Sequence, residues 1–375
     1  MPPSVAGYTW EISDSPYPSQ FLSGTREFGA ENPCLLIDQY SGKRPAILNK
    51  EFFERGQIQF GLYPSALLDS NLANQVHAVA NGGKVNDGFE SLLRFLTEKR
   101  WDFSLYFYYV EHFCKARTHD DFVNNAVART RALLALPSMD ESEFLNSGRV
   151  VPNPEAVQHY LDGSGVVDLD EAASRRVEEF CSLHSRRDTL DRIEAIEVAL
   201  IKIFLLRRIE MPKATPLKQH EAFLTFLERD LGAILARESH LALHYFYDQA
   251  GSLLGIQPNT PIDRALATIT STTWDMYFLR MPELFFSGSP TEMCLSFIAT
   301  QEKQLGRLAR LFSVESIIGT PEGDLLPVIG YAMHELPNEA KSSPPRVRPP
   351  HRGRKIVPAG LRDAMVNELR RVLPK

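Results

Sequence analysis

Two short apolar runs, set far apart in a chain otherwise patterned for helix, constrain the fold most. Tyr63-Pro-Ser-Ala-Leu-Leu68 ends at Asp69-Ser70-Asn71, and Cys294-Leu-Ser-Phe-Ile-Ala299 ends at Thr300-Gln301-Glu302. Each run has strand length and is closed by residues that begin helices, the pattern of strands buried on both faces of an α/β sheet. Ligands bind such sheets in the crevice beyond the carboxyl ends of the strands. Asp69 and Glu302 are therefore expected at one edge, with Asn71 placed to hydrogen-bond and orient Asp69. The simpler role for either junction is a helix N-cap.

Around these runs the pattern is helical. Residues 1–30 are rich in Pro, Ser and Gly, and Cys34–Ile37 with Ser41-Gly42 reads as a strand and turn inside an N-terminal lead-in, 1–62. Lys50–Arg55 reads as a short helix, and Leu72–Val79 as a helix closed by Asn81-Gly82-Gly83. Phe89, Leu92, Leu93 and Leu96 share a helix face, Trp101–Phe113 is densely aromatic, and Val123–Leu136 is another helix. Residues 146–170 read as a surface excursion, followed by helical stretches over Glu171–Glu210, His220–Leu254, Pro261–Leu279 and Lys303–Phe312. Residues 313–338 extend the core, and 339–375 form a basic, Pro-rich tail with a terminal helix facing inward through Leu361, Met365, Leu369 and Val372.

Charge divides the same way. The net of −6 combines a tail of ten Lys/Arg and three Asp/Glu with a body of 31 basic and 44 acidic residues. Such a body argues against broad nonspecific nucleic-acid binding. The tail residues Arg346, Arg348, Arg352, Arg354 and Lys355 either solubilise the chain or supply the phosphate affinity that the body lacks. Cys34, Cys114, Cys181 and Cys294 form no CxxC pair, against a zinc knuckle or a disulfide framework. The best apolar window, Val198–Leu206, is interrupted by Lys202, and the first ten residues lack a signal-peptide pattern. A soluble, cytoplasmic protein with no membrane contact is expected; a protein partner or a homo-oligomer stays open.

Leu68-Asp69-Ser70-Asn71 resembles the opening motif of PIN-like nuclease domains, and Thr300-Gln301-Glu302-Lys303-Gln304-Leu305 is similar to their closing motif. Thr273-Trp274-Asp275-Met-Tyr-Phe-Leu279 places an acid at the start of an apolar helix, as the family's third acid is placed. Glu111, after Tyr108-Tyr109-Val110, corresponds to the second acid, with Glu194 or Glu197 as substitutes. The sequence departs from the family in having Glu302 where Asp is usual, and in its length.

The resemblance implies an α/β, three-layer PIN-like core with a central parallel sheet over residues 63–312, carrying a large, mainly α-helical insertion at about 112–260. It implies a metal-dependent endonuclease, a phosphodiester hydrolase acting on RNA. Asp69, Asp275 and Glu302 would hold Mg²⁺ or Mn²⁺, Glu111 would complete the catalytic carboxylates, and Asn71 and Thr300 would support them. Oxygen-only ligands suit those metals, which activate water and stabilise a leaving oxygen. The alternative is a non-enzymatic, helix-rich interaction or regulatory protein whose acids are caps and whose basic tail binds a partner. Two weaker sites stay open. Asp38 also ends an apolar run, and His240, His244 and Asp248 have a metal-like helical spacing; their neighbours Tyr245 and Phe246 favour packing. The Tyr106–Tyr109 rings read first as core packing, with stacking platforms for bases as the alternative.

Overall fold

In the computed structural model, the described residues are 10–11, 24–40, 42, 46–48, 50, 54, 58–59, 61–233, 235–250, 255–257, 259–285, 292–319, 325–341 and 357–374. The chain divides into two compact units. One comprises Met1–Arg186, Met281–Gly306 and Val314–Ile329; the other comprises Arg187–Arg280, Arg307–Ser313 and Gly330–Lys375.

The strands, in chain order, are β1 (Trp10–Glu11), β2 (Arg26–Phe28), β3 (Cys34–Ile37), β4 (Ala46–Leu48), β5 (Ile58–Gln59), β6 (Gly61–Leu68), β7 (Asp102–Ser104), β8 (Glu292–Thr300), β9 (Phe312–Gly319) and β10 (Leu325–Tyr331). The main sheet of the first unit has the order β2-β3-β8-β6-β7. β8 is parallel to β6, and β6 to β7, whereas β3 runs antiparallel to both β8 and β2. The sheet is therefore mixed rather than parallel. The Cys34–Ile37 strand, read as part of a lead-in, is one of its members. Pro64 is tolerated in the central strand β6 because β7 is short and pairs only from Ser65 onward. β1 and β5 form a separate pair, and β10-β9-β4 a smaller sheet.

Helices of the first unit follow the apolar spacing. α1 (Ser70–Ala80) buries Leu72, Ala73, Val76 and Val79, and α2 (Asp87–Glu98) buries Phe89, Leu92, Leu93 and Leu96. The start of α2 lies against the β2–β3 turn at closest range: a Cβ on Gly88 would sit 2.1 Å from the Asn32 carbonyl oxygen. Beneath, Phe28, Phe95, Trp101, Phe297 and Tyr40 form a chain of ring contacts with centroids 4.9–5.6 Å apart. The aromatic segment holds β7 and then α3 (Tyr106–Lys115), in which Phe107, Tyr108 and Tyr109 are buried. These three pack; they offer no platform for bases. α4 (His119–Ala135) and α7 (Leu169–Leu183) also belong here, with α5 (Glu141–Ser147) and α6 (Pro154–Ser164) between them. Part of the 146–170 segment is thus helix. Its breakers are caps: Asn153 and Pro154 start α6, and the left-handed Gly165 ends it.

The helical stretch expected as one insertion is split at Arg186/Arg187 between the units. The second unit contains α8 (Arg186–Leu205), α9 (Pro216–Phe226), α10 (Ala236–Phe246), α11 (Ile262–Phe278), α13 (Asn338–Lys341) and α14 (Leu361–Val372); α12 (Lys303–Ala309) follows β8. Residues Val198–Leu206, apart from Lys202, are buried, as an all-round apolar helix requires. Among the described residues no helix is long and apolar enough to cross a membrane. The terminal helix is not a loose tail. Met365, Val366, Leu369 and Leu373 are buried, while Val372, expected inward, is 41% exposed. Arg362 grips Glu197 of α8 at 2.5 and 2.9 Å. The tail cations Arg346, Arg348, Arg352, Arg354 and Lys355, and most of Lys50–Arg55, lie outside the described residues.

His240 and His244 face each other in the second unit with Nε2 atoms 3.0 Å apart, and the His240 ring packs on Tyr331 at 4.9 Å. Burial pushes His240 down to about 3, so it is neutral. Asp248 lies beyond α10 and pairs with Arg207 at 2.5 Å. This is aromatic packing, as Tyr245 and Phe246 suggested.

Candidate functional site

The parallel pairing of β6 with β8 brings the two strand ends side by side, Leu68 opposite Ala299. The ladder runs one step further, the Asp69 N–H donating to the Ala299 carbonyl at 3.1 Å. Side chains then tie the junctions together. Thr300 Oγ1 donates to Asp69 Oδ2 and accepts from the Glu302 N–H at 2.9 Å. Asn71 Nδ2 donates to Glu302 Oε1 at 3.1 Å, across 231 positions of sequence. Asp69 Oδ1 accepts the Leu72 N–H at 2.8 Å, so this carboxylate also caps α1.

A third acid joins from α3. The Ser70 hydroxyl donates to Glu111 Oε2, and Lys115, one helical turn on, reaches Glu111 Oε1 at 2.5 Å. Asp69, Asn71, Thr300 and Glu302, singled out in the sequence, thus meet through one set of bonds, and Glu111 is tied to Ser70 beside them. Asp275 does not belong to the set: it is buried in the last turn of α11, not at a helix start, and lies in the second unit. Glu197 is in that unit too, holding Arg362. Asp38 is ruled out by strand direction. Because β3 is antiparallel to β8, Asp38 continues past the Ile37–Ile298 pair, away from Thr300, and its carboxylate bonds the Tyr40 and Gly42 N–H groups of its own turn.

Asp69 is 5% exposed and Thr300 0%. Burial pushes the Asp69 carboxyl up to about 6, and the nearby charge of Glu302 adds to this, against the bonds from Thr300 and Leu72. The edge is therefore a pair of acids, one buried, with Glu111 balanced by Lys115. Among the described residues no group of three or more His, Cys, Asp or Glu is arranged to hold a metal ion. Oxygen donors are nonetheless abundant at this edge: two unlike carboxylates, a side-chain amide and two hydroxyls.

Lys115, Arg129 and Asn74 were not singled out in the sequence. Lys115 was legible four positions after Glu111; Arg129, on α4, carries no local signal. Compared with family models, with curated proteins and with solved structures, the chain matches none.

Proposed function

We propose that the first unit is a metal-dependent phosphodiester hydrolase with a PIN-like core, acting on RNA through the β6/β8 edge. One observation carries this reading: two adjacent parallel strands end in acids that share a hydrogen-bond network, one of them buried and held above the ordinary carboxylate range. Keeping Asp69 ionised in that setting is costly without a cation, and oxygen-only donors fit Mg²⁺ or Mn²⁺. Asp69 and Glu302 would hold the ion, with Asn71 and Thr300 fixing their orientation. Such an ion would supply charge neutralisation and an acidified water. Glu111, half-screened by Lys115, is the group to accept a proton from the attacking water.

The competing reading is a helix-rich interaction protein. It is favoured by the cap that Asp69 provides and by the Glu111–Lys115 pair, which satisfy these acids within the chain. The two readings part on thermal melting with and without Mn²⁺, and on cleavage of single-stranded RNA. The hydrolase requires a rise in melting temperature that Glu302→Gln removes; no shift at millimolar Mn²⁺, together with no cleavage, would leave only the interaction protein.

Glu111→Gln provides a further check. The amide keeps the bond from Ser70, while the exchange gives up a half-exposed ion pair worth at most about 1 kcal/mol. Denaturation should be nearly unchanged and cleavage reduced at least about tenfold. Full activity in this variant would remove Glu111 from the chemistry.

A further inference from the structure

Arg129 is held in place by several uncharged groups. Its Nε and Nη2 donate to Asn74 Oδ1 at 3.1 and 2.8 Å, and Nη1 reaches the carbonyl and Oδ1 of Asn125, both at 3.3 Å. The guanidinium lies over the Tyr108 ring, 5.2 Å from its centre. Among the described residues Arg94, Arg131, Arg175, Arg207, Arg280 and Arg362 each pair with a carboxylate, whereas Arg129 has only neutral partners. Amides fix the fork without cancelling its charge. Every partner is an uncharged acceptor, so the positive charge of the fork stays available to an anion.

Its position matters as much. Asn74 stands one turn along α1 from Ser70 and Asn71, on the same side of the helix. His112, on α3, senses Glu111, Arg129 and Lys115 together and is held below its ordinary value chiefly by burial, so it adds no positive charge here. The arrangement is a preorganised cation beside an acid edge, which by itself repels polyanions.

We infer that Arg129 binds a backbone phosphate of single-stranded nucleic acid, next to the phosphodiester presented to Asp69 and Glu302. The planar fork matches phosphate oxygens, and the cost of ordering the side chain is met before the ligand arrives. This inference rests on the hydrolase reading for what is cleaved, but binding at Arg129 is measurable without cleavage.

The test uses the full chain and a fluorescein-labelled, 2′-O-methylated single-stranded RNA in EDTA, followed by anisotropy across a salt series. Arg129→Gln should weaken binding about tenfold and reduce the slope of log K against log salt by about 0.7, the share of one phosphate contact on a single strand. Arg129→Lys should keep that slope. Melting curves confirm that both variants are folded. Wild-type affinity and slope in folded Arg129→Gln would overturn the inference, as would absence of binding by the wild type or an equal loss of slope in both variants. Asp69→Asn separates the two ideas: it should abolish cleavage of unmodified RNA and leave Arg129-dependent binding intact. If it cleaves normally, the hydrolase reading falls while the phosphate site stands.

Discussion

Asp69→Asn is expected to lose at least about a hundredfold in RNA cleavage, as removal of a direct ligand should when loss of its supporting partners alone costs 10- to 100-fold. The same variant should change how stability depends on pH. In the folded chain the Asp69 carboxyl sits at about 6 against an ordinary 3.8. The folded state therefore binds its proton more tightly than the unfolded chain. Stability from this group is fully present below about pH 4 and is lost as pH rises through about 6. The difference amounts to about 3 kcal/mol. In a unit of this size that corresponds to roughly 6–12 °C in melting temperature. Asn cannot titrate, yet it still caps α1 by accepting the Leu72 N–H. Melting of wild type and variant between pH 4 and 7 in EDTA should thus converge at acid pH and separate above 6, the variant being the more stable. Mn²⁺ should narrow the gap by stabilising the ionised carboxylate of the wild type alone. Parallel melting profiles for the two proteins would show that Asp69 is not the strained acid described here.

The largest effect on stability is expected from Gly88→Ala. The new Cβ would lie 2.1 Å from the Asn32 carbonyl oxygen, 2.8 Å from the Cys34 nitrogen and 3.0 Å from the Phe28 carbonyl oxygen. All three atoms are backbone, so no side chain can swing aside. Gly29, at φ +79°, approaches Gly88 from the other side, its own added Cβ falling 2.5 Å from the Gly88 Cα. The β2–β3 turn and the start of α2 must part, disturbing the seat of Phe28 on Phe95. A cost of about 3 kcal/mol or more is expected, read as a lowered urea midpoint. Gly163→Ala is the matched control: it lies within α6 with nothing inside 4 Å of the added atom and should be neutral or slightly stabilising. A midpoint for Gly88→Ala equal to wild type would mean that turn and helix do not touch.

What the sequence disclosed was local. Leu67-Leu68-Asp69-Ser70 states a strand, a cap and a helix within a few residues, and the same logic holds around Thr300. Asn71, read as orienting Asp69, instead reaches Glu302, because parallel pairing of β6 with β8 sets the two strand ends side by side. Glu111 was legible as an acid on a partly buried helix face; its bond to Ser70 was not, because it depends on how α3 packs. Asp275 shows the limit. An acid at the right place in motif order lies in the other unit, since the boundary at Arg186/Arg187 falls where helical periodicity is uninterrupted. β7 was hidden because Asp102–Ser104 is too short for alternation to register. The inward face of α14 was misjudged by one position in places, because Met365, Val366, Leu369 and Leu373 dock on residues distant in sequence.

The position of β8 has a consequence for the nascent chain. It is the middle strand, joining β3 to β6, yet ribosomes reach Thr300 long after releasing Leu68. Until then the β2–β3 hairpin and the β6–β7 pair have no strand between them, and the edges of β3 and β6 are bare. Pairings of such long sequence separation form slowly, and unpaired edges in the interval invite aggregation or chaperone capture. The same order of synthesis has a protective side. Thr300 and Glu302 are delivered last to the acid edge, so a prematurely terminated chain carries Asp69 without the partners that complete its site.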